Sequence, residues 1–135
     1  MKLFIDSDIL LDAILMRAPF DQEASTMLSL SESKSHTLCT SAHSLLNVFY
    51  FTRKLASKAA AVKSTALLEE QLHILPTEGI AIRKAIHSGF ADMEDAVQHE
   101  IALLHHCDTI ITRNLKDFNK SKIPAMTASQ YLKTL

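Results

Sequence analysis

The fold of this chain is decided by residues 3–14, which read LFIDSDILLDAI. The first three residues form an apolar run that is too short for a helix and is typical of a buried parallel strand. Ser7 and Asp8 are helix-capping residue types, and the apolar residues after them recur at helical spacing. Asp6 therefore lies where a strand ends and a helix begins, an edge at which open α/β sheets bind ligands. This stretch alone leaves open whether Asp6 binds a cation or only caps the helix.

The composition fits a single globular domain that spans residues 1–135. Hydrophobic residues make up 47% of the chain, which is enough to build a core. The 14 Lys and Arg residues nearly balance the 15 Asp and Glu residues, and the net charge is -1. Binding of a polyanion would therefore need a local basic patch or a metal ion. With only two glycines, the chain has no glycine-rich phosphate-binding loop.

The cysteines and the hydropathy pattern predict a cytoplasmic protein. Cys39 and Cys107 are far apart and neither belongs to a C-x-x-C pair. We therefore expect two buried free thiols in a reducing compartment and no zinc site. Acidic residues at positions 6, 8 and 12 interrupt the region that a signal peptide would need to be apolar. No stretch reaches the roughly 18 apolar residues of a membrane span.

Strand-like and helix-like segments alternate along the whole chain. The predicted strands cover residues 3–5, 36–40, 73–76, 109–112 and, at the edge of the sheet, 125–127. The predicted helices cover residues 8–15, 21–31, 41–55, 57–72, 79–87, 92–106 and 128–132. Strands separated by helices imply parallel order with right-handed crossovers. The pattern therefore predicts an α/β fold, a three-layer α/β/α sandwich around a parallel sheet of four to five strands.

Acidic and amide side chains follow the predicted strands or open the predicted helices at three places. Asp6 follows the first strand, and Asp92 and Asp95 open a helix one turn apart. Asp117 follows the fourth strand, with Asn114 three residues before it. Crossover topology brings these places to one edge, where clustered carboxylates are costly unless a cation neutralises them. Oxygen ligands suit Mg²⁺ or Mn²⁺, and such an ion supports hydrolysis of phosphodiesters.

Three stretches of the sequence resemble the PIN domain family. They are residues 4–12, FIDSDILLD; residues 92–96, DMEDA; and residues 106–118, HCDTIITRNLKDF. Between the first two, Thr40 and Ser41 lead into a long helix, as in that family. The resemblance covers essentially the whole chain, and the closing TRNxxDF block is its most specific part.

The resemblance implies a divalent-metal-dependent endoribonuclease on a Rossmann-like sheet. Many members of the family, including its VapC-like branch, are toxins of bacterial toxin–antitoxin pairs. The implied cofactor is Mg²⁺ or Mn²⁺, and the implied substrate is RNA. The implied partners are a second copy of the chain in a homodimer and a small antitoxin that covers the acidic pocket.

Site residues carry over to the positions that match the family pattern. Asp6 and Asp95 resemble the two central catalytic carboxylates that bind metal, and Asp117 joins them as a further catalytic and metal-binding carboxylate. Asp92 and Asn114 resemble auxiliary ligands or groups that position water. Ser7 resembles the small hydroxyl residue that often follows the first Asp.

The sequence departs from the family pattern in the helix after the second strand. Many PIN domains carry a glutamate in the second turn of that helix, where this chain has Asn47. Asparagine offers a neutral oxygen but neither a negative charge nor a general base. Two readings remain open: Asn47 is an auxiliary residue of a subgroup that uses asparagine, or the chain is a non-catalytic module that binds RNA or protein.

A further alternative is a haloacid-dehalogenase-like phosphatase. Asp6-Ser7-Asp8 resembles the D-x-D opening of that family, with Asp6 as the nucleophile and Asp8 as the acid. Thr40 after the second strand is similar to its second motif. The short chain and the lack of a paired-Asp motif after a late strand argue against this alternative.

Other charged residues have a structural interpretation beside a functional one. Asp8 is expected to cap a helix and Asp12 to lie on a solvated helix face, with contact to the rim of the pocket as the alternative for either residue. Arg53, Lys54, Lys58 and Lys63 either line a path for RNA phosphates or belong to solvated helix faces.

Overall fold

The computed structural model describes all 135 residues and contains one sheet of five parallel strands. The strands are β1 (Lys2–Ile5), β2 (Thr37–Ser41), β3 (His73–Leu75), β4 (Thr109–Ile111) and β5 (Ala125–Met126). Their order across the sheet is β3-β2-β1-β4-β5, and all neighbours are parallel. The chain builds one side of β1 first and the other side afterwards. The topological switch point therefore lies between β1 and β4, at their carboxyl ends.

Seven helices cover the two faces of this sheet, as the sequence predicts. They are α1 (Ser7–Ile14), α2 (Asp21–Ser29), α3 (Ala42–Leu55), α4 (Lys58–Gln71), α5 (Gly79–Ile86), α6 (Met93–Leu104) and α7 (Ala128–Leu132). Two 3₁₀ turns lie at Leu30–Glu32 and Leu115–Phe118. Helix α6 ends before the predicted residue 106, because His106 has a φ of 58° in the left-handed region, which a helix cannot continue.

The alternation of side chains along β1 explains the sandwich. Leu3 and Ile5 are buried in a core cluster with α1, α2, α3, α4 and α7, whereas Phe4 is buried on the opposite face with α5 and α6. Successive strand residues point to opposite faces, so a strand covered on both sides must be apolar throughout. Burial of each of these large side chains contributes about 1.5–3 kcal/mol. The short apolar run at the N-terminus is therefore the centre of the sheet.

Two further predictions concern the thiols and membrane insertion. Cys39 and Cys107 are buried, free thiols, as predicted. They lie in the same core cluster, although 67 residues of sequence separate them. No helix combines the length and the hydropathy that crossing a membrane requires.

Candidate metal and active site

A polar pocket of about 340 Å³ opens at the switch point between β1 and β4. We call it the acidic pocket. Its lining residues come from the end of β1, the first turns of α1 and α6, and the loop after β4: Asp6, Ser7, Asp8, Asp92, Met93, Glu94, Asp95, Gln98 and Asn114. No lysine or arginine is among them.

Asp6 is fixed at the end of β1 by neighbours on both sides. Its backbone N–H donates to the carbonyl of Ile111, 2.9 Å away, which extends the pairing of β1 with β4. Its Oδ1 accepts a hydrogen bond from the backbone N–H of Ser7 at 2.8 Å, and its Oδ2 accepts one from Thr112 Oγ1 at 2.8 Å. Asp6 is thus the N-cap residue of α1 and also a wall of the pocket. Asp8 does not cap this helix, because the helix already begins at Ser7; Asp8 instead lines the pocket, which was the alternative expected for it.

The first turn of α6 contributes the facing wall. Asp92 is the N-cap of α6, and its Oδ1 accepts a hydrogen bond from the backbone N–H of Asp95 at 2.9 Å. This cap fixes the helix start and turns Asp95 inward, where it is only 7% exposed. Asp92 and Asp95 lie one turn apart, as the sequence indicates, but they have different roles: Asp92 caps the helix and Asp95 is a buried carboxylate of the pocket.

Burial and mutual repulsion make the pocket electrostatically strained. Burial is the main cause that raises the pKa of Asp6 to about 7, and the charge of Asp8 adds to it. Burial also raises the pKa of Asp95 to about 7, followed by the charges of Asp6, Asp92 and Asp117. The pKa of Asp8 is raised as well, again chiefly by burial. Such a group of carboxylates favours either bound protons or a bound cation.

Two buried oxygen atoms in the pocket lack a hydrogen-bond donor. Asp8 Oδ2 accepts from the backbone N–H of Arg113 at 2.9 Å, but Asp8 Oδ1 has no partner, and neither has Gln98 Oε1. Buried acceptors without donors are uncommon, and an all-oxygen lining suits a hard divalent cation. No group of three acidic, histidine or cysteine side chains is arranged to hold an ion by itself. Mg²⁺ usually takes only one or two carboxylates and keeps several waters, and Asp6 and Asp95 are the buried carboxylates that would hold such an ion here.

The structure brings most of the predicted site residues together. The predicted residues that line the acidic pocket are Asp6, Ser7, Asp92, Asp95 and Asn114. Asp117 lies in the 3₁₀ turn after β4 and is not among the lining residues, although its charge helps to raise the pKa of Asp95. Asn47 does not line the pocket either, and it reaches the pocket only through a neighbour.

That neighbour is Glu94, which sequence reasoning missed. Asn47 Nδ2 donates a hydrogen bond to Glu94 Oε2 at 3.3 Å, and His43 Nε2 lies 3.7 Å from the same oxygen. Glu94 thus places a carboxylate beside the position where the family pattern has its glutamate. An available signal was that Glu94 is a third acidic residue in the same helix turn as Asp92 and Asp95.

Asp12 is buried, so its expected place on a solvated helix face is wrong. Its side chain is fully buried and bound by two arginines. Arg17 Nε donates to Asp12 Oδ1 at 2.9 Å, while Arg113 donates to both oxygens, at 2.7 and 3.0 Å. The Arg113 guanidinium also lies 4.2 Å from the ring centroid of Phe20. Because Arg113 binds Asp12 by its side chain and Asp8 by its backbone, this ion pair positions one wall of the acidic pocket.

Comparison with known proteins identifies the family. A family profile described as a PIN domain matches residues 2–116. No protein of curated function matches the chain by sequence.

Several solved structures share the fold over almost the whole chain. A toxin–antitoxin complex from Klebsiella pneumoniae is 21% identical with a TM-score of 0.70, covering 93% of this chain and 97% of that one. VapBC-1 from nontypeable Haemophilus influenzae is 14% identical with a TM-score of 0.73, covering 96% and 99%. VapC20 from Mycobacterium tuberculosis, described as a sarcin–ricin-loop-cleaving toxin, is 14% identical with a TM-score of 0.69, covering 90% and 98%. With the fold shared and the family profile covering most of the sequence, this chain belongs to the PIN domain family.

Proposed function

We propose that this chain is a divalent-metal-dependent endoribonuclease that hydrolyses RNA phosphodiester bonds. The observation that carries the proposal is the acidic pocket at the switch point of a PIN domain, with buried carboxylates that no basic side chain neutralises. The unpartnered Asp8 Oδ1 and Gln98 Oε1 support a cation as the missing partner. Mg²⁺ or Mn²⁺ is the class of ion that such an oxygen-only lining prefers.

The pocket residues have distinct roles in this proposal. Asp6 and Asp95 would hold the cation directly, because they are the two carboxylates of the pocket lining that are buried. Thr112 and the Ser7 backbone keep Asp6 in one orientation through their hydrogen bonds. A divalent cation held there would supply positive charge to the phosphate and would lower the pKa of a water molecule bound to it. Hydrolysis adds the water oxygen to phosphorus and breaks one phosphorus–oxygen ester bond.

The remaining predicted residues act around these two carboxylates. Asn114 and Asp92 face the pocket at its rim and can orient water molecules that complete the ion's shell. Asp117, whose charge acts on Asp95, adds negative charge that strengthens the attraction for a cation. Asn47 acts through its hydrogen bond to Glu94 rather than by direct contact.

Cleavage of labelled RNA with and without Mn²⁺ or Mg²⁺ tests the proposal. Asp6→Asn and Asp95→Asn keep the side-chain size but remove the charge, and we expect each to lower the cleavage rate roughly hundredfold or more. Glu69→Gln, on the exposed surface of α4, is the matched control and should leave the rate unchanged. Wild-type rates in both pocket variants would contradict this site.

A non-catalytic binding module is the second candidate, and Asn47 is the observation that favours it. An asparagine in place of glutamate removes one negative charge from the site and offers no general base. Under this alternative the protein binds Mn²⁺ and RNA, but no RNA is cleaved. The phosphatase alternative loses its basis, because the chain belongs to the PIN domain family.

We also propose a small antitoxin as a protein partner, in line with the toxin–antitoxin complexes that share the fold. Helices α3 and α4, which pack together, expose several large apolar side chains, and such patches mark interaction surfaces. These side chains are Leu46, Tyr50, Phe51, Leu55, Val62 and Leu67. A candidate antitoxin encoded beside this chain should form a stable complex that Phe51→Asp weakens. A complex that withstands this change would contradict the assigned surface.

The homodimer expected from the sequence stays a prediction. Light scattering coupled to size-exclusion chromatography tests it directly. A dimer would have twice the chain mass of 15.0 kDa, and a single peak at the chain mass would contradict it.

A further inference from the structure

A second, larger cleft carries positive charge. It has a volume of about 760 Å³ and lies between α5, α6 and the segment after the second 3₁₀ turn. We call it the basic cleft. Arg83, Lys84, Lys120 and Lys122 line it, and Glu100 is its only carboxylate. The chain as a whole has a net charge of -1, so this is a local concentration of positive charge.

A buried histidine fixes one wall of the basic cleft. His99 Nε2 accepts a hydrogen bond from the backbone N–H of Lys122 at 3.0 Å. Its proton is therefore on Nδ1, which donates to Glu100 Oε2 at 3.0 Å. Burial is the main cause that lowers the pKa of His99, in keeping with a neutral ring. The histidine thus pins the lysine segment to α6 and occupies the one carboxylate of the cleft.

A second contact fixes the opposite wall. Lys120 Nζ donates to the carbonyl of Gly89 at 3.0 Å, in the segment that joins α5 to α6. Gly89 has a φ of 77°, a left-handed conformation that favours glycine. The next residue, Phe90, stacks on the ring of His99 with centroids 4.9 Å apart. Both lysine-bearing positions are therefore held in place before any ligand binds.

Helix α6 connects the basic cleft to the acidic pocket. Asp95 and Gln98 face the pocket, whereas His99 and Leu104 face the cleft. His99 lies about one helical turn after Asp95, or about 6 Å along the helix, so both cavities border on the same helix within a short distance. At 1.5 Å per residue, the cleft covers about 8 Å of the helix, from His99 to Leu104, and its far end lies about 14 Å along the helix from Asp95. A short run of nucleotides spans this length.

We infer that the basic cleft binds backbone phosphates of single-stranded RNA whose scissile phosphate lies in the acidic pocket. This inference rests on the proposed ribonuclease function. The acidic pocket by itself repels a polyanion, so binding needs cationic groups a few nucleotides away. Four guanidinium or ammonium groups spread along an open cleft suit a chain of phosphates, which such side chains contact without reading sequence.

The test is binding of a fluorescein-labelled single-stranded RNA, measured by anisotropy in EDTA at several salt concentrations. The cleft variant combines Arg83→Gln, Lys84→Gln and Lys122→Gln, all at exposed positions of the full chain. The matched control combines Arg53→Gln, Lys58→Gln and Lys63→Gln, which removes the same number of positive charges, one arginine and two lysines, from α3 and α4. The control also tests the other phosphate path that the sequence suggests.

The expected result is a Kd raised about tenfold or more by the cleft variant and less than about threefold by the control. The salt dependence should also fall, by a slope of about two for three lost phosphate contacts. Equal weakening by both variants, or no weakening by the cleft variant, would overturn the inference. Poly-L-glutamate and unlabelled RNA are also compared as competitors of the labelled RNA. Equal displacement by both would indicate a site for an acidic protein segment and would likewise overturn the inference.

Two further measurements separate folding and catalysis from binding. The charge-conserving variant that combines Arg83→Lys and Lys84→Arg should bind like wild type, and a loss of binding there would point to packing and contradict the inference. In cleavage assays the cleft variant should raise KM and leave kcat within about twofold. If the cleft variant binds RNA more weakly than the control variant but the wild-type protein cleaves no RNA, only the proposed ribonuclease function is contradicted. If the wild-type protein cleaves RNA but the cleft and control variants bind RNA equally well, only the role of the basic cleft is contradicted.

Discussion

Buried acidic side chains occur in two regions of the molecule, and they are paired with arginines in only one of them. Asp12 is fully buried and is bound by the guanidinium groups of Arg17 and Arg113. Asp6 and Asp95 are 5% and 7% exposed, yet no lysine or arginine lines their pocket. The hydrogen bond with Asp12 raises the pKa of Arg113, so the first region is internally neutralised. In the second region the pKa of the carboxylates is raised instead.

The difference shows which region is built for stability and which for a ligand. A buried charge must be paired, or its pKa shifts until it is neutral. Asp12 has its partners in the chain, so its role is complete in the folded protein. Asp6 and Asp95 lack such partners, and the folded protein bears the cost of their proximity. This arrangement is expected where a cation arrives from solution.

The largest expected effect is on the neutralised region. Asp12→Asn removes the charge that both arginines bind, and we expect the free energy of unfolding to fall by about 2–3 kcal/mol. The partial exposure of the two arginines keeps the loss below that of a fully buried pair. Urea unfolding monitored by circular dichroism measures the change, with Glu69→Gln as the control. A stability equal to wild type would show that the ion pair is not what secures α1 to the loop after β4.

The opposite sign is expected for the unneutralised region. The pKa of folded Asp95 is about 7, against an ordinary value of 3.8. Between those pH values the folded protein binds more protons than the unfolded chain, so metal-free stability decreases as pH rises and levels off above about pH 7. Asp95→Asn removes this cost, since no hydrogen bond to the Asp95 carboxylate is lost. We expect a gain of about 1–2 kcal/mol near pH 8 that shrinks toward pH 4.

Thermal unfolding in EDTA at several pH values measures this gain. Asp6→Asn is a less clean comparison, because Asp6 also accepts hydrogen bonds from Thr112 and Ser7. A destabilised Asp95→Asn protein near pH 8 would contradict the view that this pocket is strained without a cation. The same variant should lose the stabilisation that Mn²⁺ gives the wild-type protein.

The sheet and most of the acidic pocket were predictable because their signals are local. Residues 3–5 form a short apolar run that a helical period follows, and that junction places Asp6 at the edge of the sheet. Asp92 and Asp95 belong to a helix start that its own capping residue marks. Parallel order then brings both places together without any knowledge of side-chain contacts.

The misassigned residues depend on contacts between distant parts of the chain. The environment of Asp12 is set by Arg113, 101 residues later, so the pattern of α1 alone indicated an exposed side chain. Asn47 and Glu94 meet across 47 residues of sequence. Periodicity and capping describe single elements, and neither signal reports which loop packs on which helix.

The smallest expected effect concerns this last contact. If Glu94 supplies the carboxylate that Asn47 lacks, Glu94→Gln should weaken Mn²⁺ binding about threefold to tenfold in calorimetry, which is at most about 1.4 kcal/mol. The Glu94 side chain lines the pocket but is largely exposed to solvent, which screens its charge. The loss of Glu94 should therefore weaken Mn²⁺ binding less than the loss of Asp95 does. Asn47→Glu in the Glu94→Gln background should restore binding, because it returns one negative charge to the same corner. Unchanged Mn²⁺ affinity in Glu94→Gln would show that Glu94 takes no part in metal binding, and the site would then depend on the buried carboxylates of Asp6 and Asp95.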